Sequence, residues 1–446
     1  MQRRRQPEQE RPTMSYSDFL AAKAKKAEQS SLHVEPAELS DSLHEWQARI
    51  VSWAIRVGRA ALWADTGLGK TRMQVEWAYQ IAYRTGRPAI IVAPLAVCAQ
   101  TVREADRLGI EAVYCRTPSD RHETTIAVTN YERLPDFDPA EFCAVVLDES
   151  SILKQSNGKM RTALIEWASD VPYRLACSAT PAPNDPEELT NQAEWLGRMQ
   201  RNHMLAAYFV HDQDGWRLKG HARGPMIEWM SSWAVAIRRP SDIGGDDTGY
   251  DLPGLDIRSH LVDADIVPDD QLFATELGGV SGRAQVRKQT LSKRVARAAE
   301  LVAAEPDEPW LLWCGLNDEA DALAKAIPGS VNVHGSLDPD EKARLLLGFA
   351  DGEYRVIITK PSIASLGMNF QHCARMAFVG LSDSYEQYYQ SMRRCYRYGQ
   401  TRVVEAHIIL SDLESQIAAN VARKERQASE ITTALIEHSR RKAHTA

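Results

Sequence analysis

Residues 64–71, Ala64-Asp65-Thr66-Gly67-Leu68-Gly69-Lys70-Thr71, have the types and order that hold a polyphosphate. Gly67 and Gly69 permit a tight turn whose backbone N–H groups face phosphate oxygens, with Thr66 and Leu68 in the same cradle. Lys70 is placed to reach the β- and γ-phosphates, and the Thr71 hydroxyl to bind magnesium. The helical pattern that follows adds the partial positive charge of a helix N-terminus. Further along, the apolar run Val145-Val146-Leu147 ends in two adjacent carboxylates, Asp148 and Glu149. Asp148 would hold the magnesium through its water, and Glu149 would orient and deprotonate an attacking water. Together these residues point to ATP hydrolysis, with ATP and Mg2+ as the cofactors.

Such chemistry needs strand ends and helix starts brought to one edge of a sheet. Short apolar runs at 60–64, 89–93, 125–128, 144–147 and 174–177 alternate with amphipathic segments. A second series lies at 310–313, 330–333, 356–358, 376–379 and 403–409. Continuous apolar strands separated by helices predict parallel sheets covered on both faces. The expected fold is α/β, with a domain over 41–240 and another over 257–430. A turn-rich polar stretch at 241–256 reads as the linker. Residues 1–40 and 431–446 read as polar tails, and Met14 opens a more regular stretch than residues 1–13.

The motifs together resemble the superfamily 2 helicases and translocases, closest to their Swi/Snf-like group and its compact phage and prophage members. The resemblance covers roughly 43–425. It implies two tandem RecA-like domains with the ATP site in the cleft between them. Leu43-His44-Glu45-Trp46-Gln47 resembles the Q motif, which implies that Gln47 reads the adenine edge. Residues 90–94, ending in Pro94, resemble motif Ia, and 128–132, containing Asn130, the next motif on the nucleic-acid side. Asp148-Glu149-Ser150-Ser151 is motif II in this resemblance. Ser178-Ala179-Thr180 is motif III, which implies coupling of hydrolysis to movement. Ser150 and Ser151 depart from the usual motif II residues, so the coupling contact is expected to be rewired. Residues 359–371, with Lys360 and Gly367, resemble motif V. Gln390 to Gln400 fits motif VI, Q-x-x-x-R-x-x-R-x-G-Q, and implies nucleotide contacts from Gln390, Arg394 and Arg397. Arg394 and Arg397 lie three apart on one helical face, so both can point at one phosphate across a cleft.

For nucleic acid, 281–297 is basic without an acid, and Arg287, Lys288, Lys293 and Arg294 could line the path of a strand. A solvated helix face fits the same residues. Trp216, among basic neighbours, could stack on a base or simply pack. The basic 423–442 stretch predicts an exposed amphipathic helix.

The bulk composition sets outer limits. Net charge −7 argues against a blanket basic coat, though not against a local basic groove. No run of about 18 apolar residues occurs, so a membrane span is not expected. The seven cysteines form no C-x-x-C pair, which disfavours a zinc site and fits a reducing cytoplasm. The leading expectation is a DNA helicase or translocase, acting in replication, recombination or repair of phage or prophage DNA. It would work on double-stranded or forked DNA rather than RNA, as a monomer or assembled on nucleic acid. The competing expectation is a nucleotide-switched loader, or the motor subunit for a nuclease or methyltransferase partner, that does not separate strands.

Overall fold

Two wholly parallel sheets, one in each half of the chain, meet with their strand ends facing a common cleft. The computed structural model describes residues 30–445 apart from 123–124, 156–157, 214, 264–286, 365–367, 383 and 412–414. In the first lobe the strands are β1 (Arg59–Ala64), β2 (Ala89–Ala93), β3 (Ala112–Tyr114), β4 (Ile126–Asn130), β5 (Ala144–Asp148) and β6 (Tyr173–Cys177). A separate antiparallel hairpin, β7 (Phe209–Asp212) and β8 (Gly215–Leu218), precedes β9 (Ala234–Ile237). The seven-stranded sheet runs in the order β3-β4-β2-β5-β6-β1-β9. Every residue of β2, β4 and β5 is buried, as a sheet covered by helices on both faces requires.

The second lobe holds β10 (Leu255–Val262), β11 (Trp310–Cys314), β12 (Val331–Val333), β13 (Val356–Thr359), β14 (Arg375–Val379) and β15 (Val404–Ser411). They pair in the order β10-β15-β14-β11-β13-β12. All ten apolar runs picked out in the sequence form strands, and the architecture is the pair of RecA-like lobes expected. Five strands gave no comparable signal: β3, the β7–β8 hairpin, β9 and β10 are too short, or too mixed in polarity, to stand out.

The segments read as tails behave differently where they are described. Residues 1–29, including the stretch that Met14 opens, lie outside the described residues. Residues 30–40 are not free: Val34 is fully buried, Leu39 nearly so, and Ser52 Oγ donates to the Val34 carbonyl at 2.7 Å. The linker is also held, since Asp242 is buried and β10 begins at Leu255, inside the stretch read as linker. At the other end a helix runs from Ser415 to Thr445. Its Ile431, Leu435 and Ile436 enter the first lobe's hydrophobic core. Arg238 of the first lobe donates to Ser429 and Thr433 on this helix, and Arg440 on it pairs with Asp242 at 2.7 Å. The expectation of a polar tail and an exposed helix is therefore corrected. Three apolar residues on one helical side suffice to dock it, although charged neighbours mask them in the sequence.

Candidate nucleotide site between the lobes

β1 ends at Ala64, and the chain turns through the glycine-rich loop into the helix Lys70–Thr85. Gly67 and Gly69 both have positive φ, +85° and +74°. A Cβ at Gly69 would lie 2.5 Å from Gln47 Nε2, and one at Gly67 would lie 2.6 Å from the Tyr398 ring. Only glycine fits either place. Gln47 donates to the Leu68 carbonyl at 2.9 Å and accepts from His44 N at 3.0 Å, bracing the loop from behind. Each end of its amide keeps one further hydrogen-bonding position, so a base contact would come in addition to this brace. Lys70 Nζ donates to the Ala64 and Asp65 carbonyls at 2.8 and 3.3 Å. Thr71 follows it in the first helical turn, half-buried.

Asp148 and Glu149 stand at the end of β5, level with the end of β6. Gln74, one turn into the loop's own helix, donates to Asp148 Oδ1 at 2.8 Å, and Tyr131 Oη donates to the Asp148 carbonyl at 2.5 Å. Burial holds the Asp148 carboxyl above its usual range, against the pull of Gln74 and Lys70. Glu149 adopts φ +60°, a left-handed conformation that a residue with a side chain occupies only under local constraint. Burial and the neighbouring Asp148 push its carboxyl up to about 7, while Lys70 and Arg394 oppose the shift. A buried and a half-buried carboxylate beside a lysine and a threonine in the first helical turn form a donor set that fits a magnesium-bound triphosphate.

Motif III reaches this pair directly. Ser178 Oγ donates to Glu149 Oε2 at 3.4 Å and accepts from Thr180 N at 3.0 Å. Behind it, Gln192 donates to the Ser150 carbonyl at 2.9 Å, a contact made through backbone and therefore silent in the sequence. Ala179 and Thr180 line a small cavity at the lobe boundary.

Motif VI divides its arginines in an unexpected way. Arg394 Nη1 and Arg397 Nη1 both donate to the Met368 carbonyl, at 2.9 and 3.2 Å, and Arg394 Nε donates to the Gln390 carbonyl at 2.9 Å. The helix ends at Met392, before either arginine, so the expected shared helical face is corrected; the two still share one target, which is backbone of their own lobe. Gln390 is buried, its amide nitrogen without a partner among the described residues. Gly367, expected to contact nucleotide, lies outside the described residues. The neighbouring Arg393 is the arginine that crosses the cleft: it pairs with Asp65 in the phosphate loop, where Tyr389 Oη also donates, at 2.5 Å. Tyr398 Oη donates to the Arg238 carbonyl at 2.8 Å, and Lys154 beyond motif II pairs with Glu386. Asp65, Gln74, Tyr389 and Arg393 were missed as site residues. Asp65 and Arg393 sit inside the recognised motifs, so a charged side chain at an unassigned motif position was the available signal.

The expected nucleic-acid residues scatter. Pro94 caps the helix Leu95–Arg107 directly after β2. Asn130 ends β4 and donates to Glu132, and Lys360 follows β13. These three lie at or directly after strand ends. The basic 281–297 stretch is corrected in part. Arg294 is fully buried, bonded to Glu319 at 2.9 Å and to the Val379 and Arg287 carbonyls. Arg287 is bonded to the same Glu319 at 3.1 Å. Both are structural cations that satisfy one buried carboxylate. Lys288 is exposed, and Lys293 is held to the Asp263 carbonyl. Trp216 is half-buried in β8, edge-on to His211 at 4.9 Å and packed against the first lobe's core, so it has a packing role. Among the described residues, no helix is long and apolar enough to cross a membrane and no metal-binding cluster of His, Cys, Asp and Glu occurs.

The conserved C-terminal domain of helicases matches residues 293–399, from the helix Leu291–Ala304 through motif VI. The mouse (Mus musculus) DNA annealing helicase and endonuclease ZRANB3 is 21% identical over 438 residues, taking in 87% of this chain. The chain spans only 40% of that relative's length. With its two parallel-sheet lobes, its motif order and a helicase C-terminal domain over residues 293–399, the chain is similar to the superfamily 2 helicases of the Swi/Snf-like group.

Proposed function

We propose that the protein is an ATP-dependent DNA translocase that couples hydrolysis to movement on duplex or forked DNA. One observation carries this reading. Lys70, from the start of the chain's first lobe, and Arg394, from the far end of its second, both act electrostatically on the same half-buried Glu149. Neither lobe alone assembles that environment, so hydrolysis must depend on how the lobes meet.

Lys70, Thr71 and Asp148 would hold magnesium and triphosphate, and bound ATP supplies the bond whose cleavage drives the cycle. Glu149, held near neutral pH, is suited to take a proton from water. Its bond to Ser178 gives motif III a direct report on that charge. Arg394 and Arg397 would exchange the Met368 carbonyl for phosphate, releasing backbone of motif V as they do so. Pro94, Asn130 and Lys360, at strand ends, suit a grip on phosphates that ignores sequence. ATP, Mg2+ and DNA are the expected ligands.

A triplex-displacement assay separates a tracking motor from a switch. ATP-dependent release of the third strand is expected, and it should vanish in Lys70→Ala. Hydrolysis without strand release would favour a nucleotide-switched loader instead.

A further inference from the structure

The phosphate loop carries a negative charge of its own. Asp65 is the second residue of that loop and nearly buried. Its Oδ1 accepts from Thr66 N at 2.6 Å and from Tyr389 Oη at 2.5 Å, and its Oδ2 pairs with Arg393. Tyr389 and Arg393 lie four apart at the end of one helix, on one face, and the guanidinium also sits 5.2 Å from the Tyr389 ring and 5.3 Å from the Tyr396 ring. Among the described residues, every partner of the Asp65 carboxylate except Thr66 therefore comes from the second lobe.

A carboxylate in a loop built to hold phosphates repels them unless it is neutralised. Here the neutralising charge is delivered across the cleft. The pairing also has somewhere to go: beside it lies a cavity of about 180 Å3, lined by Asp65, Thr180, Tyr389, Arg393 and Glu425 of the C-terminal helix. Glu425 is close enough to feel the charge on Arg393 and offers it a second carboxylate. The Thr180 hydroxyl of motif III, buried on this cavity, has no partner among the described residues.

We propose that Arg393 is a positioning residue that tunes nucleotide affinity by neutralising Asp65 only while the lobes are closed. Closure removes a repulsive charge from the phosphate loop. Opening withdraws Arg393, restores that charge and promotes release of nucleotide. The loop thus senses the second lobe through Arg393, while Arg394 and Arg397 bond to the Met368 carbonyl. This rests on the ATP-site reading above.

The test is binding of a fluorescent ADP, with Mg2+, to the full chain, together with KM and kcat for ATP. Arg393→Ala leaves Asp65 unpaired and is expected to weaken binding and raise KM about tenfold. Adding Asp65→Asn to that variant should bring both back to within about threefold of wild type. A residue that merely holds the fold would not be rescued by deleting its partner. Asp65→Asn alone should bind ADP at least as tightly as wild type. Should Arg393→Ala fold poorly, Arg393→Gln with and without Asp65→Asn gives the same comparison. Unchanged affinity in the single Arg393 variant, or no recovery in the double, would overturn the proposal. Wild type that binds no nucleotide would instead overturn the ATP-site reading, and this inference with it.

Discussion

Replacing Glu149 by glutamine should abolish turnover and, at alkaline pH, make the protein more stable. The side chain is half-buried at a left-handed backbone position, and its carboxyl is pushed from 4.5 up to about 7, chiefly by burial and then by Asp148. The folded protein therefore keeps a proton that the unfolded chain has already lost. A raised carboxyl imposes no penalty well below 4.5, and its penalty grows until pH passes the folded value. Between about pH 5.5 and about pH 8 wild type should lose about 2 kcal/mol relative to a variant without the group. Glutamine keeps the shape, can still accept from Ser178, and never ionises. Removing the Glu149 charge also eases ionisation of Asp148, which adds in the same direction. At 2–4 °C per kcal/mol for a lobe of roughly 200 residues, the Tm advantage of Glu149→Gln should grow by about 4–8 °C over that range. Scanning calorimetry of both proteins at the two pH values, without nucleotide, measures it directly. A Tm difference that stays flat, or shrinks as pH rises, would refute the placement of this carboxyl. The same variant should lose ATP turnover by about a thousandfold, the middle of the range for removing a general base.

Three further outcomes are expected. The ATPase rate of wild type should rise with pH up to about 7 as Glu149 becomes ionised, and a pH–kcat profile with no inflection between about pH 6 and 8 would contradict that role. Arg294→Ala should destabilise the second lobe by about 3–5 kcal/mol in urea melts, because it strips a cation from buried Glu319. A loss of DNA affinity without that instability would point back to nucleic-acid contact. Leu435→Ala should cost about 2–5 kcal/mol and should show in protection of first-lobe amides, since its side chain lies in that lobe's core. Exchange accelerated only in the second lobe would mean that the helix is not docked as described.

Strand positions and the phosphate site were legible because each rests on local pattern: an apolar run bounded by turns, or a glycine-rich loop between strand and helix. The pairing of Asp148 and Glu149 with Ser178 follows from neighbouring strands ending level. What the sequence concealed is contact over long separation. Arg393 and Asp65 are far apart in the chain, and nothing local distinguishes Arg393 from Arg394, one residue on. Arg294 looked like a DNA-binding cation because its partner, Glu319, lies on a different helix. The C-terminal helix misled for a related reason: its apolar residues are few and its charges many. Burial there depends on a groove that another lobe supplies.

The central claim is that hydrolysis is tied to lobe closure on DNA. It is tested most directly by the ATPase rate with no nucleic acid, single-stranded DNA, duplex DNA, forked DNA and RNA in parallel, for wild type and Arg394→Ala. Duplex or forked DNA should raise the wild-type rate about tenfold or more, a lowering of the barrier by at least 1.36 kcal/mol, and Arg394→Ala should not respond. A wild-type rate indifferent to every nucleic acid, or stimulation that survives loss of Arg394, would contradict the account.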